Sequence, residues 1–179
     1  METWNVVITV HEGYYRPALG YLEGLGTVHK TDYFNVLVLE AADGRKAMES
    51  LKVMMDEDPE VRSAIARFVP AAQTFYYTSR EEFDKKAREA VLALAGKLAG
   101  KKFHVRMKRR GFKKRISSLE EENLLDTLLL ETLEKKGNPG TITFDDPDAV
   151  LIIETVGQRA GVSLFTREEL ARYPFLHVD

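Results

Sequence analysis

The sequence predicts a mixed α/β (α+β) protein built from two units, residues 1–78 and 79–179. Three observations predict it. The first 78 residues read as β-α-β-β-α-β, the ferredoxin-like order. The spacing Ser79-Arg80-Glu81-Glu82 then matches a reciprocal capping box and opens a second alternation of helices and strands. Finally, 179 residues with 44% hydrophobic and 30% charged side chains suffice for one medium core or two small ones.

In the first unit, Trp4 to Val10 is a β-branched strand run. Arg16-Pro17 opens a short helix with Leu19, Leu22 and Leu25 on one side, stopped by Gly24 and Gly26. Thr27–Tyr33 and Asn35–Ala41 are strand-like and close enough to form a hairpin. Asp43 is placed to cap a helix carrying Ala47, Met48, Leu51 and Met55, which Asp58-Pro59-Glu60 interrupts. Phe68–Thr78 reads as the closing strand, with Pro70 confining it to an edge, a bulge or its own beginning.

In the second unit, Phe83, Ala87, Val91, Leu94 and Leu98 recur at helical intervals up to Gly100. Phe103, Val105 and Met107 then alternate with His104, Arg106 and Lys108, so a strand here buries the first set and presents the second. After a loop from Arg109 to Ile116, Ser117-Ser118-Leu119-Glu120-Glu121 starts a helix with a Leu125, Leu129, Leu133 stripe, widened by Leu124 and Leu128. Gly137-Asn138-Pro139-Gly140 ends it. Strands at Thr141–Phe144, Val150–Val156 and Ala160–Phe165 follow, then a helical turn over Thr166–Arg172 and an end, Tyr173-Pro174-Phe175, expected to pack.

Charge is the most informative feature for function. Between Ala90 and Leu119 there is no Asp or Glu, yet Lys97, Lys101, Lys102, Arg106, Lys108, Arg109, Arg110, Lys113, Lys114 and Arg115 all fall there. The chain has 26 Lys+Arg against 28 Asp+Glu, a net −2; without these ten cations the remainder is 16 against 28, or −12. Such segregation suits a phosphate-rich partner, which responds to local potential. Lys102, Arg106, Lys108, Arg109, Arg110, Lys113, Lys114 and Arg115 are the expected RNA contacts, with Ser117 at the N-terminus of the next helix adding backbone N–H donors. Replacing Arg109, Arg110, Lys113 and Lys114 by Ala is expected to weaken RNA binding and leave folding intact. The competing reading is a solvated face whose cations pair with acids elsewhere in the chain.

Several segments of this region carry a family resemblance. They are Phe103-His104-Val105-Arg106-Met107-Lys108-Arg109-Arg110, Ser117-Ser118-Leu119-Glu120, Asp145-Asp146-Pro147-Asp148-Ala149-Val150 and Gly161-Val162-Ser163-Leu164. From Phe103 to Leu164 the chain resembles the THUMP domain, an RNA-binding module of tRNA-modifying proteins that commonly follows an N-terminal ferredoxin-like domain. The ending through Tyr173-Pro174-Phe175-Leu176 is most similar to the stand-alone THUMP adaptors that present tRNA to the RNA cytidine acetyltransferase for N4-acetylcytidine formation. Many of those adaptors have a cysteine where this chain has Ala160-Gly161. The resemblance implies tRNA and that acetyltransferase as partners. Its alternative is a targeting subunit acting in trans for a tRNA methyltransferase or a sulfur-transfer enzyme.

No catalytic motif stands out, and a non-catalytic protein without cofactor is expected. Gly24-Leu25-Gly26 lacks the third glycine of a dinucleotide fingerprint, and no Walker loop occurs. Asn138-Pro139-Gly140 reads as a turn. The absence of cysteine excludes disulfides and thiolate chemistry. His11, His29, His104 and His177 lack metal-ligand spacing, and Asp145, Asp146 and Asp148 read as an acidic loop, so no metal is expected. Glu120, Glu121 and Glu122 are explained by the helix dipole, and Trp4, Tyr14, Tyr15, Tyr76 and Tyr77 by packing. Met1-Glu2-Thr3-Trp4-Asn5-Val6-Val7 lacks the basic and apolar pattern of a signal peptide, so none is expected, and the apolar runs fall short of the roughly 20 residues that span a bilayer. The expectation is a cytoplasmic protein without a membrane span.

Overall fold

The computed structural model describes residues 3–177. They form two compact units, one of residues 3–71 with Tyr173–His177, the other of Ala72–Arg172.

The first unit follows the expected order: β1 (Val6–Val10), α1 (Tyr15–Glu23), β2 (Thr27–Lys30), β3 (Val36–Glu40), α2 (Gly44–Glu57), α3 (Pro59–Ala64) and β4 (Ile65–Pro70). Its antiparallel sheet runs β2-β3-β1-β4, so the β1-α1-β2 crossover leaves room for β3 between its two strands. That is the ferredoxin-like topology. Asp43 caps α2 by accepting from Arg45 N and Lys46 N, both at 3.1 Å. Asp58 ends α2 in an extended conformation and caps α3, with Pro59 at the first helical position where its missing N–H costs nothing. Ala47, Met48, Leu51 and Met55 are the buried face of α2, as their spacing requires. Trp4 is buried in this unit, and the chain end is tied into it: Phe175 meets Phe68 edge-on with centroids 6.0 Å apart, and the Arg67 guanidinium donates to His177 O.

Phe68–Thr78 is not one strand. It breaks at Ala71-Ala72, after Pro70: β4 pairs with β1, whereas β5 (Gln73–Tyr76) pairs with the strand Arg159–Thr166 of the second sheet. The units therefore divide after Ala71 and not after Thr78.

The second unit continues with α4 (Arg80–Leu94), a 3-10 turn over Ala95–Leu98, β6 (Lys102–Lys108), α5 (Ser118–Lys135), β7 (Thr141–Ile142), β8 (Ala149–Val156), β9 (Arg159–Thr166) and α6 (Arg167–Arg172). Its sheet runs β5-β9-β8-β6-β7, with β6 parallel to both β7 and β8. Half of the expected capping box at α4 forms: Ser79 Oγ accepts from Glu82 N at 3.1 Å, but the Glu82 carboxylate accepts from the hydroxyl and N–H of Thr78, the residue before the cap, instead of from Ser79 N. Of the two registers open to α5, Ser117 is the cap. Gly137, at φ +77, ends α5 in a Schellman arrangement, its N–H on Glu134 O and that of Asn138 on Leu133 O. Phe83, Ala87, Val91 and Leu94 of α4 and Leu125, Leu129 and Leu133 of α5 pack on Phe103, Val105 and Met107 of β6 and on the same face of β8 and β9. Among the described residues no helix is long and apolar enough to cross a membrane.

Candidate nucleic-acid interface

Strand alternation sets the starting geometry. With Phe103, Val105 and Met107 in the core, Lys102, His104, Arg106 and Lys108 share the opposite face of β6. They are not equally presented. Lys102 is exposed, Arg106 and Lys108 are half-buried, and His104 is buried, which the alternation alone did not reveal. Arg106 Nε lies 3.9 Å from Glu122 of α5, so part of its charge is answered within the unit.

The loop after β6 is anchored at two apolar points. Phe112 and Ile116 are buried, and the Phe112 ring packs on Tyr77 at 4.9 Å between centroids. Positive φ at Gly111, Phe112 and Lys114 lets the chain turn sharply around that anchor. Lys113 and Lys114 are thereby left exposed at the tip, with no ion pair among the described residues. Arg115 is also exposed, its guanidinium 4.1 Å from the centre of the Phe112 ring, a cation–π contact that keeps its charge at the surface. Arg109 turns back to donate to Gly111 O.

Arg110 departs from the expectation. Its Nη1 donates to Glu154 Oε2 at 2.7 Å, with side chains only 14% and 3% exposed, and its N–H donates to Thr155 Oγ1 at 2.9 Å. This is a buried ion pair that fixes the loop to β8, so replacing Arg110 is expected to cost stability. Pairing with an acid elsewhere in the chain, the other part of the competing reading, thus occurs for Arg110, in a buried and not a solvated setting, and in part for Arg106. Ser117 spends its hydroxyl on Glu120 N at 3.3 Å, and Glu120 in the first turn of α5 offsets the positive end of its dipole. The structure brings together Lys102, Arg106 and Lys108 along one strand and Lys113, Lys114 and Arg115 at one loop, and withdraws Arg110.

Glu122, which the sequence explained by the helix dipole, acts otherwise, together with Asp126 one turn further along α5. Past β7, the β6 edge facing away from β8 has N–H groups without a strand partner. Val105 N donates to Asp126 Oδ1 at 2.9 Å and Met107 N to Glu122 Oε2 at 2.8 Å. Burial raises the Asp126 carboxyl to about 6, against the opposing effect of that hydrogen bond. Burial raises Glu121 further, to about 8, helped by a hydrogen bond with Asp84. Glu121 Oε1 is buried beside Asp84, and the Arg80 guanidinium, with Nε 3.6 Å from Glu121 Oε1, only partly opposes the rise. The signal for these groups lay in the sequence as acids at helix positions 122 and 126, four apart beside the Leu125 stripe.

The loop between β7 and β8 holds the remaining acids. Asp148 Oδ2 accepts from Lys102 N at 2.9 Å, which holds its carboxyl below the usual range, and Asp146 and Asp148 both pair with Arg167. Among the described residues no group of three or more metal-ligating side chains is found.

Solved structures share this architecture. PH1313 from Pyrococcus horikoshii Ot3 is 15% identical, with a TM-score of 0.60 over 91% of this chain and 54% of its own. TrmN from Thermus thermophilus is 18% identical, with a TM-score of 0.61 over 90% of this chain and 45% of its own. A 4-thiouridine synthetase, solved in complex with RNA and with bound ATP, is 16% identical, with a TM-score of 0.55 over 92% of this chain and 42% of its own. The chain has their fold. It spans about half the length of these proteins. No protein-family model matches the sequence, and no curated protein matches it.

Proposed function

We propose that this chain is a THUMP-type, tRNA-binding module that presents structured tRNA to a modifying enzyme, and that its partner is the RNA cytidine acetyltransferase that forms N4-acetylcytidine. In this reading the chain is itself non-catalytic. The observation that carries it is the set of cations at the surface, Lys102, Arg106 and Lys108 on β6 and Lys113, Lys114 and Arg115 at the anchored loop that follows it. Folded RNA of A-form hides its base edges in a deep groove, so phosphates and 2′-hydroxyls are what a strand-and-loop surface of this kind reaches. The shared fold of a synthetase solved with RNA supports the same reading.

The test is affinity for unfractionated tRNA against a length-matched DNA duplex and an unstructured RNA, over a salt series. Preferential tRNA binding with a steep negative salt slope is expected; equal, weak binding to all three would leave only generic electrostatics. Nucleoside analysis of tRNA from cells lacking the protein identifies the enzyme served, with loss of N4-acetylcytidine expected. The fold shared with the 4-thiouridine synthetase supports a second reading, a targeting module acting in trans for a sulfur-transfer enzyme or a tRNA methyltransferase. Loss of a methylated or thiolated nucleoside, with N4-acetylcytidine intact, would select it.

A further inference from the structure

The cationic face of β6 also carries an aromatic surface. Phe144, just beyond β7, is 70% exposed. Its loop is tied down on both sides. Thr143 N donates to Phe103 O at 3.0 Å and Thr143 Oγ1 to Asp145 O at 3.1 Å. Asp146 and Asp148 hold Arg167, and Asp148 receives the N–H of Lys102. The outward ring is therefore presented by a stapled loop.

His104 supports that ring from beneath, with centroids 5.0 Å apart and planes inclined at 45°. His104 is itself buried, and its Nδ1 lies 3.0 Å from Thr143 O; since a carbonyl only accepts, Nδ1 carries the hydrogen. Burial first, and the charge of Arg106 with it, hold the imidazole below its ordinary pKa, so a neutral ring backs Phe144. Lys102 and Arg106 lie two residues to either side of His104 on the same strand face, each about 7 Å along β6. An exposed aromatic plane is thus bracketed by two cations. A protein-docking hot spot would continue into apolar neighbours, but here the adjoining chain is Thr143, Asp145 and Asp146. Flat apolar face with flanking positive charge is the chemistry of base stacking beside a neutralised backbone.

We propose that Phe144, backed by His104 and flanked by Lys102 and Arg106, stacks against an unpaired nucleobase of the bound RNA. This rests on the RNA-binding reading above and adds to it a contact that phosphate neutralisation does not supply.

The full chain and its Phe144→Ala, Phe144→Leu and Phe144→Trp variants are titrated with unfractionated tRNA, a blunt RNA duplex and a single-stranded oligoribonucleotide carrying 2-aminopurine. Phe144→Ala and Phe144→Leu are expected to lose about tenfold in affinity for tRNA and the single strand, with the salt slope unchanged because no charge is removed. Their affinity for the blunt duplex stays the same. Phe144→Trp retains affinity, and its indole emission is quenched on binding. Wild-type binding to tRNA that Phe144→Ala leaves unaltered, or that falls equally on the blunt duplex, overturns the stacking site and spares the cationic reading. Absence of tRNA binding by the wild-type chain overturns both.

Discussion

Arg110 and Lys113 stand three positions apart in one loop, look alike in sequence and do opposite work. Arg110 is buried against Glu154, so Arg110→Ala leaves a carboxylate that is 3% exposed without its nearest cation. Breaking a buried pair from one side typically costs about 3–5 kcal/mol. Urea unfolding of Arg110→Ala is expected to show a loss of that order, whereas Lys113→Ala and Lys114→Ala remain within about 0.5 kcal/mol of wild type because both side chains are solvated. A stable Arg110→Ala would return that residue to the RNA surface. The distinction was partly legible. Glu154 is the one charge in the apolar run Ala149–Val156, and a lone acid in a strand buried on both faces requires a partner. Which of ten cations supplied it was not legible, because pairing across 44 residues depends on strand order. Phe112 and Ile116 were similarly visible as apolar residues in a basic loop, but their anchoring role needed Tyr77, contributed by the turn after β5.

Among the elements, β6 and α5 form the part of the site most sensitive to pH. Two α5 carboxylates take the N–H groups that β7 is too short to reach, which covers the β6 edge and holds its cationic face in register. Asp126, raised to about 6, and Glu121, raised to about 8, are protonated in the folded chain at pH values where the unfolded chain has lost those protons. The folded state binds more protons, so these groups contribute fully below about pH 4, and their contribution is lost as pH rises through 6 and 8. Stability is expected to fall from pH 5 to pH 8. Asp126→Asn, which keeps an oxygen to accept from Val105 N, should remove the decline up to pH 6, at most about 3 kcal/mol, and Glu121→Gln the later part. Urea midpoints that stay flat across this range in the wild type would contradict it. At this scale most of the fold was legible: caps at Asp43, Ser79 and Ser117 and stripes in α2, α4 and α5 fell where spacing put them. The break at Ala71-Ala72 was not. Phe68–Thr78 is strand-like on both sides of the break, and pairing partners in two different sheets divide it, with Pro70 and the polar Gln73-Thr74 as the only local hints.

Across the molecule the question is whether RNA would respond to net charge or to local potential. The chain carries only −2 overall, and its ten clustered cations are set against a remainder of −12. Internal pairing has already claimed Arg110 and part of Arg106. Two double substitutions separate the possibilities, because each takes the net charge from −2 to −4. Lys113→Ala with Lys114→Ala removes charge from the loop tip; Lys135→Ala with Lys136→Ala removes the same charge from the C-terminal end of α5, where both lysines are exposed. Each phosphate contact contributes about 0.7–0.9 to the slope of log affinity against log salt. The loop variant is therefore expected to bind tRNA more weakly and to reduce that slope by about 1.4–1.8, while the helix-end variant leaves the slope unchanged. Equal effects of the two pairs would make the attraction a property of total charge, and the cations along β6 and its loop would then have no privileged role in binding. A change confined to the loop variant makes Lys113 and Lys114 phosphate contacts by their position, because both variants carry the same net charge.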